Sequence, residues 1–193
     1  MRKGTVCILA GLALLLAAAG LAGYNLWDAA RADRASEAIL AELSIPEPDP
    51  EAIPDYQLDP GREMPAETID GWDCVGVLSI PALGLELPVI GEWSYPALRQ
   101  APCRYTGSAY TDDMTIAAHN YARHFGHLTA LRPGDAVTFT DLSGNVFRYA
   151  VAEIETLQPT DIQEMTAGDW PLTLFTCTKG GQYRVTVRCE KSK

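Results

Sequence analysis

The sequence has no basic surplus, no second long apolar run beyond its N-terminal one, and no metal-ligand spacing among its few histidines and cysteines. Of 193 residues, 15 are Lys or Arg and 25 are Asp or Glu, a formal net charge of -10. Beyond Trp27 the balance is 13 bases to 25 acids, or -12. Such a surface repels polyanions, which argues against nucleic acid as a partner and against an anionic lipid surface as a docking site. The three histidines, His119, His124 and His127, are spaced by five and three residues, and no HExxH occurs. Neither spacing fits a zinc site, so a solvated helix face is the expected setting of the trio, and no metal or cofactor is expected. Five cysteines are too few for a disulfide scaffold in a chain this long. Cys7 lies in the apolar run. A bridge among Cys74, Cys103 and Cys189 is compatible with an extracellular setting, but no pair is singled out and none is assigned. The composition is neither disordered nor collagen-like, and the length supports about one domain with appendages.

What is present at the N-terminus is an uncharged apolar stretch from Thr5 to Tyr24, 20 residues long, enough to cross a bilayer as a helix. Arg2 and Lys3 precede it, while Tyr24 and Trp27 mark the far interface. The positive-inside rule therefore places the N-terminus in the cytoplasm and the remainder outside, as a single-pass membrane protein. The competing reading is a cleaved signal peptide, with small-residue sites at Ala17-Ala18-Ala19 and Leu21-Ala22-Gly23. The length of the run favours an uncleaved anchor. Good helix formers continue from Asp28 to Leu43. Between Ser44 and Ile69 lie six of the thirteen prolines (46, 48, 50, 54, 60 and 65) among acids, a composition that predicts an extended spacer. The expected division is 1–27 as stub and anchor, 28–71 as juxtamembrane helix and Pro/acid-rich linker, and 72–193 as the folded domain.

That domain reads as short strands with few helices. Strands are expected at Val75–Ile80, Leu85–Ile90, Met114–Ala118, Ala136–Thr140, Val146–Ala152 and Leu172–Thr178, with a last one that Arg184 opens and that includes Arg188. Short helices are expected at Tyr95–Gln100, His124–Leu131 and Pro159–Ala167. About eight strands with turn signals between them indicate an all-β barrel or sandwich. The last two strands flank Gly180-Gly181 and form a hairpin. Cys177 ends the first strand, and Arg184 opens the second, so folding back brings the guanidinium near the sulfur. A thiol, a guanidinium and a histidine from elsewhere supply a nucleophile, an oxyanion partner and an acid/base. Taken alone, a strand cysteine is more often an inert buried thiol, a lone histidine a structural one, and Arg188 an ordinary surface arginine.

Several segments together resemble the sortase family. Thr173-Leu-Phe-Thr-Cys177 is similar to that family's Thr-Leu-x-Thr-Cys signature, with Arg184 on the following strand. Ile116-Ala-Ala-His-Asn120 resembles its histidine segment, Val75–Val89 its opening strand pair, and Leu131-Arg-Pro-Gly-Asp135 the lead into the next strand. The resemblance covers about residues 72 to 190. It implies a closed eight-stranded β-barrel with a few short helices, preceded here by the transmembrane helix. It also implies a cysteine transpeptidase that cleaves an LPxTG-like C-terminal sorting motif of a secreted protein. The acyl group would pass through a thioacyl-enzyme to an amine of a cell-wall precursor or pilin. Cys177 would be the nucleophile, His119 the acid/base and Arg184 the oxyanion donor. Thr176, Trp170 and Tyr183 are candidates for the substrate groove, against the bland readings of β propensity and core. The lack of a C-terminal apolar segment argues against the pilin-polymerising branch, and the short Ala152–Trp170 connection against class B. A class D-like or housekeeping-like member is preferred. The rivals are a cysteine peptidase that only hydrolyses, a non-catalytic anchored barrel that binds a wall component, and a metal hydrolase using the histidines.

Overall fold

The computed structural model describes residues 3–48, 53–167 and 169–192; Arg2, used above for orientation, and Pro50 of the proline-rich stretch lie outside them. The strands are β1 (Glu67–Ile69), β2 (Trp72–Ile80), β3 (Leu85–Ile90), β4 (Cys103–Thr106), β5 (Met114–Ala117), β6 (Ala136–Asp141), β7 (Val146–Leu157), β8 (Leu172–Cys177) and β9 (Arg184–Lys191). Eight of them follow the order β2-β3-β4-β5-β8-β9-β7-β6, and β6 pairs back onto β2, which closes the barrel. β1 is a short arm folded onto β2. Closure brings backbones close: a Cβ on Gly76 would stand 2.2 Å from the Thr140 carbonyl oxygen, so only glycine fits there. The closed eight-stranded barrel with few short helices is the architecture expected above. β4 was not legible because Cys103–Thr106 meets β3 through one residue pair and carries no apolar alternation.

The helices are α1 (Lys3–Glu42), α2 (Asp55–Leu58), α3 (Tyr95–Leu98) and α4 (Ile162–Met165). Ser94 caps α3, its hydroxyl oxygen accepting from Ala97 N at 3.1 Å. The helix expected over His124–Leu131 is corrected to a single 3-10 turn at Leu128–Ala130. Its cause is Gly126, whose N–H bonds the Tyr121 carbonyl at 2.9 Å and whose missing Cβ would otherwise meet the Asn120 carbonyl at 2.6 Å.

α1 runs unbroken for 40 residues and is long and apolar enough to cross a membrane. Its two halves differ. Residues from Gly4 to Trp27 are exposed, whereas beyond Asp28 Ala32, Ser36 and Ile39 are buried on one face against the barrel. Spacings of four and three residues make that face continuous.

The spacer expected over Ser44–Ile69 is likewise corrected, since its described residues strap onto the barrel. Tyr56 stacks on Tyr110 at 4.9 Å between ring centroids and tilts against Phe147 at 5.1 Å. Met64 (6% exposed) joins the main core and Ile69 a second cluster under α1 and α3. Pro46 and Pro48 lie over Gly144, where a Cβ would stand 2.2 Å from the Pro46 carbonyl oxygen. Prolines keep the strap extended, while its few apolar residues, read as too sparse to fold alone, bury against a surface that is already built. Met64→Ala therefore should cost about 2 kcal/mol or more in chemical denaturation. An unchanged midpoint would mean that the strap does not belong to the folded unit.

Candidate active site

Side-chain alternation fixes which residues share the outer barrel wall. Met114, Ile116 and Ala118 of the β5 segment and Leu172 and Leu174 of β8 pack in the interior, as do Val185 and Val187 of β9. Ala117 and Phe175 belong to the outer cluster instead. By period two, His119, Cys177 and Arg184 all fall on the outer side. Cys177 and Arg184 are directly opposed in the antiparallel β8–β9 ladder, which puts their Cα atoms about 5 Å apart. In the parallel β5–β8 ladder Ala117 lies beside Phe175, and Ala118 N donates to the Phe175 carbonyl at 3.2 Å. Continued two residues past the end of β5, this register would bring His119 level with Cys177. Asn120 Nδ2 bonds the Thr178 carbonyl at 3.3 Å, keeping the segments adjacent past the end of β5. The three candidates thus form one row across neighbouring strands, with the thiol in the middle.

Each end of the row has its own support. Arg184 Nη1 donates to the carbonyls of Gly181 and Tyr183, both at 3.2 Å, so the guanidinium braces its own turn. That turn needs φ of 98° at Gly180 and 76° at Gly181, conformations open to glycine. The His119 ring lies 5.0 Å from that of Tyr121. Burial pushes its pKa below 6.5; Asp28 opposes that shift, and Arg99 and Arg31 reinforce it.

The remaining polar candidates separate. His124, expected on a solvated helix face, is fully buried, with Nε2 3.2 Å from Ser36 Oγ of α1. Burial, helped by His119, pushes its pKa down to about 4. His127 is exposed. Among the described residues no group of three or more His, Cys, Asp or Glu could hold a metal ion. Arg188, whose ordinary reading was a surface arginine, is 2% exposed. Its guanidinium binds Glu155 Oε1 at 2.7 Å, Thr173 Oγ1 at 3.1 Å, and the Glu164 and Met165 carbonyls at 2.6 and 3.1 Å. It caps the C-terminal end of α4 and ties the β7–β8 connection to the barrel.

Two clefts adjoin β8 or the aromatic side chains packed against it. The larger, of about 640 Å³, is walled by Gly91, Trp93, Arg104, Tyr105, Ile162 and Thr166. Trp93 packs edge-on against Tyr105 at 5.5 Å, and Tyr105 against Phe175 at 5.4 Å, two residues before Cys177 on the same face. The smaller, of about 300 Å³, contains Cys177 itself with Asn120, Phe125, Thr176 and Lys179. Of the groove candidates, Thr176 borders this pocket, but its hydroxyl is committed to the Ala118 carbonyl at 2.8 Å. Trp170 is half-buried and Tyr183 is 42% exposed, and neither lines either cleft. The aromatic series Trp93–Tyr105–Phe175 went unnoticed because its members come from three segments, one of them the unrecognised β4.

The other three cysteines of the barrel are poor nucleophiles. Cys74, Cys103 and Cys189 are buried free thiols, and burial pushes them up to about 11, 12 and 12. Cys74 and Cys103 each pair with Ile90 on the intervening strand, which separates their Cα atoms by roughly 9–10 Å, too far for a bridge. Cys189 lies inside the barrel. Cys177 is half-exposed.

Comparison with known proteins adds the family. The sortase domain family model matches residues 78–192. No curated protein matches the sequence significantly. Among solved structures the chain is similar to sortase C1 of Streptococcus agalactiae, at 25% identity and TM-score 0.58, over 75% of this chain and 79% of that one. It is similar to a sortase D5 transpeptidase of Clostridium perfringens, at 23% and 0.57, over 66% and 83%. A third likeness is to Clostridium perfringens sortase C with the C-terminal cell wall sorting motif, at 22% and 0.56, over 72% and 84%. TM-scores this alike establish the fold and do not separate the branches.

Two outcomes check this geometry. Iodoacetamide should alkylate Cys177 in the folded protein and leave Cys74, Cys103 and Cys189 unmodified until denaturant is added, as read by peptide mass spectrometry. His124 titrates lower folded than unfolded, so its contribution is complete above about pH 6.5 and is lost as pH falls toward 4, about 3 kcal/mol in all. Thermal unfolding at pH 7 and 4.5 should show a smaller acid loss in His124→Gln than in the parent.

Proposed function

The chain belongs to the sortase family of cysteine transpeptidases, and from that premise we propose that it is a membrane-anchored member working through Cys177, His119 and Arg184. What supports this reading is the cross-strand pairing of Cys177 with Arg184, the backbone on either side of His119 bonded to the end of β8, and a pocket that contains Cys177. α1 would be the single-pass anchor, with the barrel on the outer side of the membrane.

A sorting motif of the LPxTG kind at the C-terminus of a secreted protein would lie along the Trp93–Tyr105–Phe175 wall, its reacting carbonyl carbon over the Cys177 sulfur. The thiolate adds to that carbon, and the carbonyl electron pair moves onto oxygen. Arg184 donates hydrogen bonds to this oxyanion; its charge is permanent, and the brace on its turn limits the freedom it must lose. Collapse breaks the C–N bond, and His119 gives its proton to the departing amine. The thioacyl carbon then faces the smaller pocket, through which an amine of a wall precursor or pilin enters. His119, now neutral, takes the proton from this amine as it attacks, and the second collapse returns the thiolate. Burial that lowers the His119 pKa suits the second half, since a neutral imidazole is needed there.

The test is mass spectrometry of the full-length protein incubated with sorting peptides, with and without an amine. A thioacyl adduct on Cys177 and an amide product with the amine are expected. Free acid alone, even with amine, would favour a hydrolysing peptidase. Cys177→Ala should abolish both products, and full activity in that variant would overturn the assignment. His119→Ala should lower kcat by about 10²–10⁴. Arg184→Ala should lower it by about 10²–10³, and Arg184→Lys should not restore it, because an ammonium lacks the planar fork.

A further inference from the structure

We propose that Asp28, carried on α1 and outside the sortase domain, is a positioning residue for His119 that acts through Tyr121. The inference rests on the reading of His119 as the acid/base. Its geometry is independent of that reading.

An aspartate just past an apolar helical stretch would ordinarily be solvated. Asp28 is instead 13% exposed, and both of its carboxylate oxygens are in use. Oδ2 accepts from the Tyr121 hydroxyl at 2.5 Å. Oδ1 accepts from Arg99 Nη2 at 2.8 Å and from Arg31 Nη2 and Nε at 3.2 and 3.3 Å. Arg99 belongs to the C-cap of α3 and Tyr121 to the loop after His119, so a single carboxylate joins three segments. The bonds hold its pKa down to about 2, the Tyr121 and Arg99 contacts first. It is ionised at any working pH.

Tyr121 transmits the constraint. Its ring lies between two imidazoles, 5.0 Å from His119 and 5.5 Å from His124. The far imidazole is fixed by Ser36, eight residues after Asp28 on the same face of α1. The His119 loop is thereby clamped at both ends by one helix, and Arg123 adds ion pairs to Asp33 and Glu37 of that helix.

The charges have a definite sense. His119 meets the charges of Asp28 and Arg31 from α1 and of Arg99 from the C-cap of α3, with Tyr121 and His124 from its own loop, while its backbone runs beside the end of β8, where Cys177 pairs with Arg184 of β9. Asp28 is the one group among them held anionic by its surroundings, and it favours the imidazolium, whereas Arg31 and Arg99 oppose it. Removing the carboxylate leaves two guanidinium groups uncompensated, so the His119 pKa must fall further.

The experiment uses the full chain in detergent micelles, with the Cε1–Hε1 resonances of the three histidines followed against pH and kcat/KM measured with a sorting peptide and an amine. Asp28→Asn is expected to move the His119 titration to lower pH and to reduce kcat/KM about tenfold to a hundredfold, with Asp28→Glu recovering part of both. Tyr121→Phe keeps the ring and the carboxylate but loses the tether, so kcat/KM should fall while the titration stays near the parent's. A parent-like titration and kcat/KM in Asp28→Asn and Tyr121→Phe would overturn the proposal. Misfolding of Asp28→Asn leaves Asp28→Glu and Tyr121→Phe to decide it. A parent that binds no sorting peptide would instead count against the functional reading, and the histidine titration would still report whether Asp28 acts on His119.

Discussion

The parallel pairing of β5 with β8 is the constraint on which the site depends. Met114 to Ala117 run beside Leu172 to Phe175 in register, and that register, continued past the end of β5, would bring His119 level with Cys177 although 58 residues of chain separate them. A slip of one residue would turn His119 into the barrel, because alternate side chains face opposite sides of a sheet. The slip is prevented from within: Met114, Ile116, Leu172 and Leu174 are interior residues, and none of them can be turned out to solvent without losing its burial. A packed apolar core thus sets the geometry of a polar row on the other side of the same wall.

Around this wall the molecule adds a second layer. α1 covers one part of the outer face and holds the His119 loop, while the described residues of the strap lie over the β6–β7 turn at Pro46 and Pro48 and beside Tyr110 at Tyr56. The Tyr110 hydroxyl donates to Asp141 Oδ2 at 2.6 Å, and Asp141 Oδ1 accepts from the N–H groups of Ser143 and Asn145, so the turn under the strap has hydrogen bonds of its own. On the opposite flank Arg188 holds α4 and with it Ile162 and Thr166 of the larger cleft. Buried as it is, Arg188 is surrounded by acceptors, which offsets the cost of taking a guanidinium out of water. Loop, strap and cleft wall are each fixed by one or two polar residues at a joint between layers.

Much of this was legible in the sequence where the signal is local. The Gly-Gly hairpin places Arg184 opposite Cys177, and the strand pattern foreshadows a barrel or sandwich, with closure implied by the sortase resemblance. What was not legible depends on partners distant in sequence. His124 and Arg188 were read as solvated because a polar side chain gives no sign of the acceptors that will enclose it: Ser36 lies 88 residues away from the first, and Glu155 33 residues from the second. The strap was read as a free spacer because its prolines exclude regular structure, yet the absence of regular structure does not prevent burial, as Met64 and Tyr56 show. Trp170 and Tyr183 are the aromatics the sequence offers for an apolar pocket, whereas Tyr105 reaches Phe175 across β5, through pairings of β4 and β8 that no local pattern announces.

The continuity of α1 has a geometric corollary. Each residue of an α-helix adds 1.5 Å of rise and about 100° of rotation. With no break between its bare apolar rod and its docked face, the azimuth of one relative to the other is a matter of residue count. Deleting Trp27 alone would leave every barrel contact available and still swing the rod by more than a quarter of a circle. The number of residues leading into Asp28 is therefore as much a part of the architecture as their identities.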